Sequence, residues 1–300
     1  MDMTIILRFA GGLGNQMFQY AAGKALAKRL GAELKLDLGW YTNPGKRAKA
    51  PRFFCLDRFH VTEPRATPAE VRRFRGHTLY GRALRKVFGR DVRINLRRIE
   101  TPHDYWNLQS LHRFKGLFLH GYWQSESYFS DAREEIRAAF AAHDQGLRQS
   151  SALIREIESD NSIALHVRRG DYASEARLSQ TFGTCSAAYY ESSLAQAQRR
   201  LGHLRVYLFS DDAAWATHNL RLPPDVVVVA PEDDRGGLAS FDLMRRCRHF
   251  IISNSTFSWW AAWLGETPKT LTFAPSPWFM NGGGDEGIVP GRWIRVDARS

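Results

Sequence analysis

His166–Val167–Arg168–Arg169–Gly170–Asp171–Tyr172 follows directly on an apolar run, Ile163 to Val167, that reads as a buried strand. Two arginines, a glycine and an aspartate crowd the point where that strand must end. An arginine fork matches phosphate oxygens two at a time. At the carboxyl end of a strand in an α/β sheet it stands where such folds bind ligands. The same residues also suit a surface turn with a solvated Arg–Asp pair, so the surrounding chain has to decide.

Downstream, strands and helices alternate. A helix carries Tyr190, Leu194, Ala197 and Leu201 and stops at Gly202. Strand Val206–Phe209 leads to Ser210–Asp211–Asp212, and strand Val226–Val229 leads to Pro231–Glu232–Asp233–Asp234. A helix from Ala239 to Cys247 precedes strand Phe250–Ile252 and the stretch Ser253–Asn254–Ser255–Thr256. A helix through Trp259, Trp260 and Trp263 ends at Gly265, and strand Thr270–Phe273 closes the set. This alternation predicts a parallel, doubly wound sheet. Its polar motifs all fall at the carboxyl ends of strands, the ligand-binding edge of such sheets.

The first half begins in the same way. Strand Thr4–Phe9 runs into Ala10–Gly11–Gly12–Leu13–Gly14–Asn15–Gln16, a helix to Leu30 and strand Ala32–Asp37. Gly12 and Gly14 match two positions of the dinucleotide fingerprint, but Met17 occupies the third. Asn15 opens the helix and is expected to cap it. Strand Leu117–His120 and a helix from Ala132 to about Phe140, capped by Ser130 or Asp131, complete this half. A hinge at 144–151 suggests domains of 1–155 and 156–300.

The net charge is +11, from 42 Lys and Arg against 31 Asp and Glu. That surplus suits an anionic partner. The basic tract from Arg72 through Arg82, Arg85 and Arg93 to Arg97 and Arg98 reads first as a solvated helix face, and second as a surface for anionic lipid. Cys55, Cys185 and Cys247 are far apart and form no C-x-x-C pair, which argues against a disulfide framework or a zinc ribbon. Residues 1–9 are too short for a signal peptide, and no run reaches the ~20 apolar residues of a membrane span. The expectation is a cytoplasmic protein, with peripheral contact at the inner membrane as a further expectation.

Ser253–Asn254–Ser255–Thr256–Phe257–Ser258 opens a helix, where hydroxyls and backbone amides suit a phosphate. N-capping is the plainer role for those serines, but with Arg168 at the same edge the motif reads as a pyrophosphate site. Asp211 and Asp242 suit guanine N1–H and N2–H₂ or helix caps, and both readings stay open. No D-x-D triplet occurs, so a metal-bridged diphosphate is not expected.

Four motifs occur in a fixed order: Gly11–Gly12–Leu13–Gly14–Asn15–Gln16, Gly121–Tyr122–Trp123–Gln124–Ser125–Glu126, His166 to Tyr172, and Ser253 to Trp260. Together they resemble the bacterial α1,2-fucosyltransferases of glycosyltransferase family 11. The resemblance implies a GT-B-like α/β architecture of two Rossmann-like domains facing a cleft. The second domain would hold GDP-β-L-fucose, and an inverting, metal-independent transfer would reach the 2-hydroxyl of a terminal β-galactoside. It places Arg168 on the β-phosphate and His166 beside the nucleotide. It places Ser255, Thr256, Phe257 and Ser258, with Asn254 in the same motif, around the diphosphate, and Gly12, Gly14 and Asn15 on the other lobe. Relatives carry an acid three positions before the leucine matching Leu243. Here that position is Ser240 and the acid is Asp242.

The chemistry is coherent without the resemblance. Breaking a sugar–phosphate bond loads negative charge on the leaving diphosphate, which an arginine and a helix N-terminus stabilise. Asp171, then Glu175, are the carboxylates nearest the arginines in sequence that would serve as base, but Asp171 suits an ion pair with Arg168 or Arg169 rather better. Other readings are a fucosyltransferase of another linkage such as α1,6, or a basic nucleic-acid-binding protein without turnover, although no nucleic-acid recognition motif accompanies the charge.

Overall fold

The computed structural model describes residues 3–42, 52–75, 96–99, 111, 114–141, 151–170, 183–231, 234–279 and 287–299. The chain divides into two compact units, Met1–His143 and Asp144–Ser300.

The first unit contains β1 (Thr4–Arg8), α1 (Leu13–Leu30), β2 (Glu33–Asp37), α2 (Gly39–Thr42), α3 (Pro68–Arg75), β3 (Leu96–Ile99), β4 (Gly116–Leu119) and α4 (Arg133–Ala139). The strands are parallel in the order β2-β1-β4-β3. Ile5, Ile6 and Leu7 are all fully buried. Three consecutive buried residues mean that both faces of the sheet are covered, as parallel sheets require. α1 supplies Met17, Phe18, Ala21, Ala22, Ala25 and Leu26 to that core.

The second unit contains α5 (Ser151–Ser159), β5 (Ser162–Val167), α6 (Ala187–Leu201), β6 (Arg205–Ser210), α7 (Ala213–Asn219), β7 (Val227–Val228), α8 (Leu238–Arg245), β8 (His249–Ile251), α9 (Thr256–Gly265), β9 (Thr272–Ser276) and β10 (Ile294–Asp297). Its parallel sheet has the order β10-β9-β8-β5-β6-β7. All six residues of β5 are buried. The chain winds from β5 through β6 to β7 on one side, then crosses to β8, β9 and β10 on the other. The direction reverses between β5 and β8, and such a switch point opens a crevice at the strands' carboxyl ends. The first sheet has its switch point between β1 and β4 for the same reason. The expected α/β, doubly wound architecture is therefore present in both units.

Several expectations are corrected. Gly12, not Asn15, occupies the N-cap of α1, and Asn15 lies within the first turn. Neither Ser130 nor Asp131 caps α4: its N-cap is Ala132, Ser130 to Ala132 form a 3₁₀ turn, and Asp131 pairs with Arg29. The basic tract is not one helix face. Arg72 and Arg73 are exposed on α3, whereas Arg97 and Arg98 belong to β3, at the edge of the sheet. Arg82, Arg85, Lys86, Arg90 and Arg93 lie outside the described residues, as does most of the hinge at 144–151. β9 starts two residues later than expected and continues to Ser276, paired on one side with β10, an edge strand that the sequence reading did not anticipate.

Candidate active site

The second unit's switch point gathers the polar motifs. His166, on β5, is hydrogen-bonded through Nδ1 to Ser253 Oγ, just past β8, at 2.8 Å. Its ring lies 5.7 Å from that of Phe257 in the first turn of α9. Burial, and secondarily the Arg168 charge, push His166 down to about 3, so it is neutral at physiological pH. The unfolded chain takes up this proton near pH 6.5 and the folded chain does not. Stability is therefore complete above pH 6.5 and declines as pH falls from there toward 3, by at most ~1.4 kcal/mol per pH unit for one group. Buried His249, also shifted down by burial, adds a slope of the same sign. Denaturant midpoints across this window should show a shallower decline in His166→Gln, and an unchanged decline would show that His166 does not contribute to it.

Arg168 leaves the end of β5 beside Asp211, which leaves the end of β6. The strand register pairs Val167 with Ser210, so the two residues come next to each other. Asp211 Oδ2 lies 3.0 Å from Arg168 Nη1, and Asp211 Oδ1 accepts the Arg169 backbone amide at 2.8 Å. A Cβ on Gly170 would lie 2.5 Å from Asp211 Oδ2, so only glycine leaves room for this carboxylate. Arg169 stacks on Trp215 at 3.8 Å, with Asp212 Oδ2 3.8 Å from its Nε. Asp212 also caps α7 by accepting from Trp215 N. Asp211 is thus not a helix cap, and it supplies an arginine ion pair that the sequence reading had offered to Asp171. Asp171 and Glu175 lie outside the described residues.

The motif opening α9 divides its labour. Ser255 sits at the N-cap, but its side chain makes no capping hydrogen bond. Ser258 Oγ turns back to the Ser255 carbonyl at 3.3 Å. The buried Asn254 carboxamide donates to the carbonyls of Gly183 and Trp278 and accepts from Cys185 Sγ, tying three segments together. Thr256 and Phe257 are half-buried at the helix mouth, where first-turn amides point out of the helix end. Trp259, Trp260 and Trp263 are core residues. Asp242 is buried within α8, with its oxygens held by Arg245 at 2.7 Å and Arg246 at 2.8 Å, so it does not cap a helix either. Gly237 is the N-cap of that helix, and Asp234 serves its first turn, accepting from Ala239 N and Ser240 N and pairing with the Ser240 hydroxyl.

The first unit's switch point is built from the glycine-rich loop and the segment after β4. Gly11 adopts φ +86° with the Asn15 side chain folded over it. Asn15 Oδ1 accepts from Gln124 Nε2 at 2.9 Å. Gln16 bonds to Gly11 O, Phe53 O and Cys55 N. Gln19 bonds to Ala10 N and Gly121 O. Gly12 caps and Gly14 is buried in α1. The sequence reading gave these glutamines no role, though two amide side chains on a face otherwise apolar were the available sign. Among the described residues no three His, Cys, Asp or Glu are gathered as metal ligands.

The glycosyl transferase family 11 profile matches residues 97–282. An α1,2-colitosyltransferase of Escherichia coli is 30% identical, over 98% of this chain and 99% of its own. The chain belongs to glycosyl transferase family 11. A galactoside α-(1,2)-fucosyltransferase 2 of Rattus norvegicus is 25% identical, over 96% of this chain and 75% of its own. Among solved structures, a mutant of Arabidopsis thaliana FUT1 in complex with GDP superposes with a TM-score of 0.54 at 15% identity, covering 93% of this chain and 72% of that one. That likeness is one of fold, and the architecture is GT-B. The family 11 match includes every second-unit site residue from His166 to Ser258, while the glycine-rich loop lies outside its bounds. Among the described residues no helix is long and apolar enough to cross a membrane.

Proposed function

We propose that this family 11 glycosyltransferase moves L-fucose from GDP-β-L-fucose to the 2-hydroxyl of a terminal β-galactoside, with inversion. In this reading the second unit, Asp144–Ser300, binds the donor and the first serves the acceptor. The observation that carries it is the convergence of Arg168, His166 and the mouth of α9 on one switch point, a site suited to a nucleoside diphosphate. The acceptor oxygen attacks the anomeric carbon of fucose. The bond from that carbon to the β-phosphate oxygen breaks, and its electron pair leaves with GDP. Arg168 and the α9 amides stabilise the charge gathering on that oxygen. The acceptor proton passes to a base late in the attack, a role proposed for Asp171. Neutral His166, fixed by Ser253, offers a hydrogen-bonding and stacking surface rather than a charge.

The full-length similarity to a colitosyltransferase favours a second donor, GDP-linked colitose, which is fucose without its 3-hydroxyl. Both readings use the same leaving group. The test is incubation with each donor and a panel of β-galactosides, scoring GDP release and product linkage. α1,2-Fucosylated product from GDP-fucose is expected. An α1,6 product would replace the α1,2 linkage, and turnover with GDP-colitose alone would replace the fucose donor. We further expect turnover to persist in EDTA, because the arginine and helix mouth supply the positive potential. Activity lost to chelator and restored by Mg²⁺ or Mn²⁺ would refute this.

A further inference from the structure

We infer that Asp211 is a positioning residue that aims Arg168 at the leaving diphosphate, an inference that rests on the donor site proposed above. The segment after β6 holds both arginines of the motif. Asp211 binds one nitrogen of the Arg168 guanidinium and, with its other oxygen, the backbone amide of Arg169. It therefore fixes the side chain and the turn of main chain that carries it. Asp212 and Trp215 take Arg169 separately, one by charge and one by ring stacking. The motif's two arginines are thus matched by two aspartates, and they are assigned different places: Arg169 against Trp215, Arg168 at the strand's end.

An arginine on a flexible stem loses rotamer freedom when it engages an anion. A carboxylate that holds one Nη in advance removes part of that loss before the reaction, which is how preorganised donors stabilise developing charge. Asp211 has no direct role toward the sugar in this scheme. Its effect passes through Arg168, and Gly170 is the residue that makes room for it.

The test compares the parent, Asp211→Asn, Gly170→Ala, Arg168→Lys and the Asp211→Asn/Arg168→Lys double variant. The readouts are kcat, both KM values, GDP affinity by calorimetry and thermal midpoint. Asp211→Asn should lower kcat by about 5- to 10-fold, with the acceptor KM unchanged and the midpoint within a few degrees. Gly170→Ala, which crowds the carboxylate without removing its charge, should lower kcat in the same direction. In the Arg168→Lys background, Asp211→Asn should add less than about twofold, because residues that act through one another are not additive. Full multiplication of the two losses would assign Asp211 a purely structural role and overturn the inference. So would Asp211→Asn with parental kcat and tighter GDP binding, which would mean that the carboxylate competes with the phosphate. A parent that binds no GDP would instead defeat the donor-site reading.

Discussion

Arg168→Ala removes nearly all transfer, lowering kcat by about 10²- to 10³-fold, while the protein stays folded. Bond cleavage places a full negative charge on the β-phosphate oxygen. A donor aimed at that charge in a partly desolvated crevice is worth ~2.7–4 kcal/mol in the transition state. Its truncation is tolerable for the fold because about a quarter of the side chain is exposed, and Asp211 keeps its bond to the Arg169 amide and its own access to water. Arg168→Lys keeps the charge and loses the planar fork, so its rate should fall between those of parent and alanine variant. The measurement is GDP release at saturating donor and acceptor, alongside a thermal melt. A folded alanine variant that turns over within a few-fold of the parent would remove Arg168 from the chemistry.

The contrast between the two arginines explains why such a site is only half legible in a sequence. The run Ile163–Val167 and the turn after it were readable because a strand buried on both faces leaves an unbroken apolar signature. So was the position of Arg168 at the ligand edge. Which acid would hold it was not readable along the chain, because Asp171 is nearer in sequence. Asp211 becomes the partner only through strand register, since β5 and β6 pair Val167 with Ser210 and bring the next residues side by side. Aligning the two strand ends would have exposed the pair.

Edge elements were legible least well. β3 and β10 are short, half-polar and paired on one side only. Such short edge strands carry little core alternation in sequence, so Leu96–Ile99 reads as part of a basic tract. The serines of α9 misled in another way. Ser255 stands where a capping side chain belongs yet makes no cap, and Asn254 ties the interior together. Residue type announces hydrogen-bonding capacity, but only the fold says in which direction it is used.

Asn15→Ser is expected to keep the thermal midpoint within a few degrees and to lower kcat/KM for the nucleotide-sugar donor by tenfold or more, at least ~1.4 kcal/mol of transition-state stabilisation. Capping no longer competes as an explanation, because Gly12 holds the cap and Asn15 lies within the first turn. One structural role that remains is the hydrogen bond that Asn15 accepts from Gln124. A serine hydroxyl is too short to span to Gln124. If that bond were all that mattered, Asn15→Ser and Gln124→Ala would each cost ~1 kcal/mol of stability and leave turnover alone. The proposed role differs: Gln124 holds the Asn15 carboxamide over Gly11, at the carboxyl edge of the first sheet. Gln124→Ala then leaves the carboxamide present but loosely held, and should lose only a few-fold in kcat/KM. Asn15→Ser removes it and should lose much more. Equal rates in both variants and parent would reduce Asn15 to a partner of Gln124, and would leave the first unit's part in transfer to residues other than its glycine-rich loop.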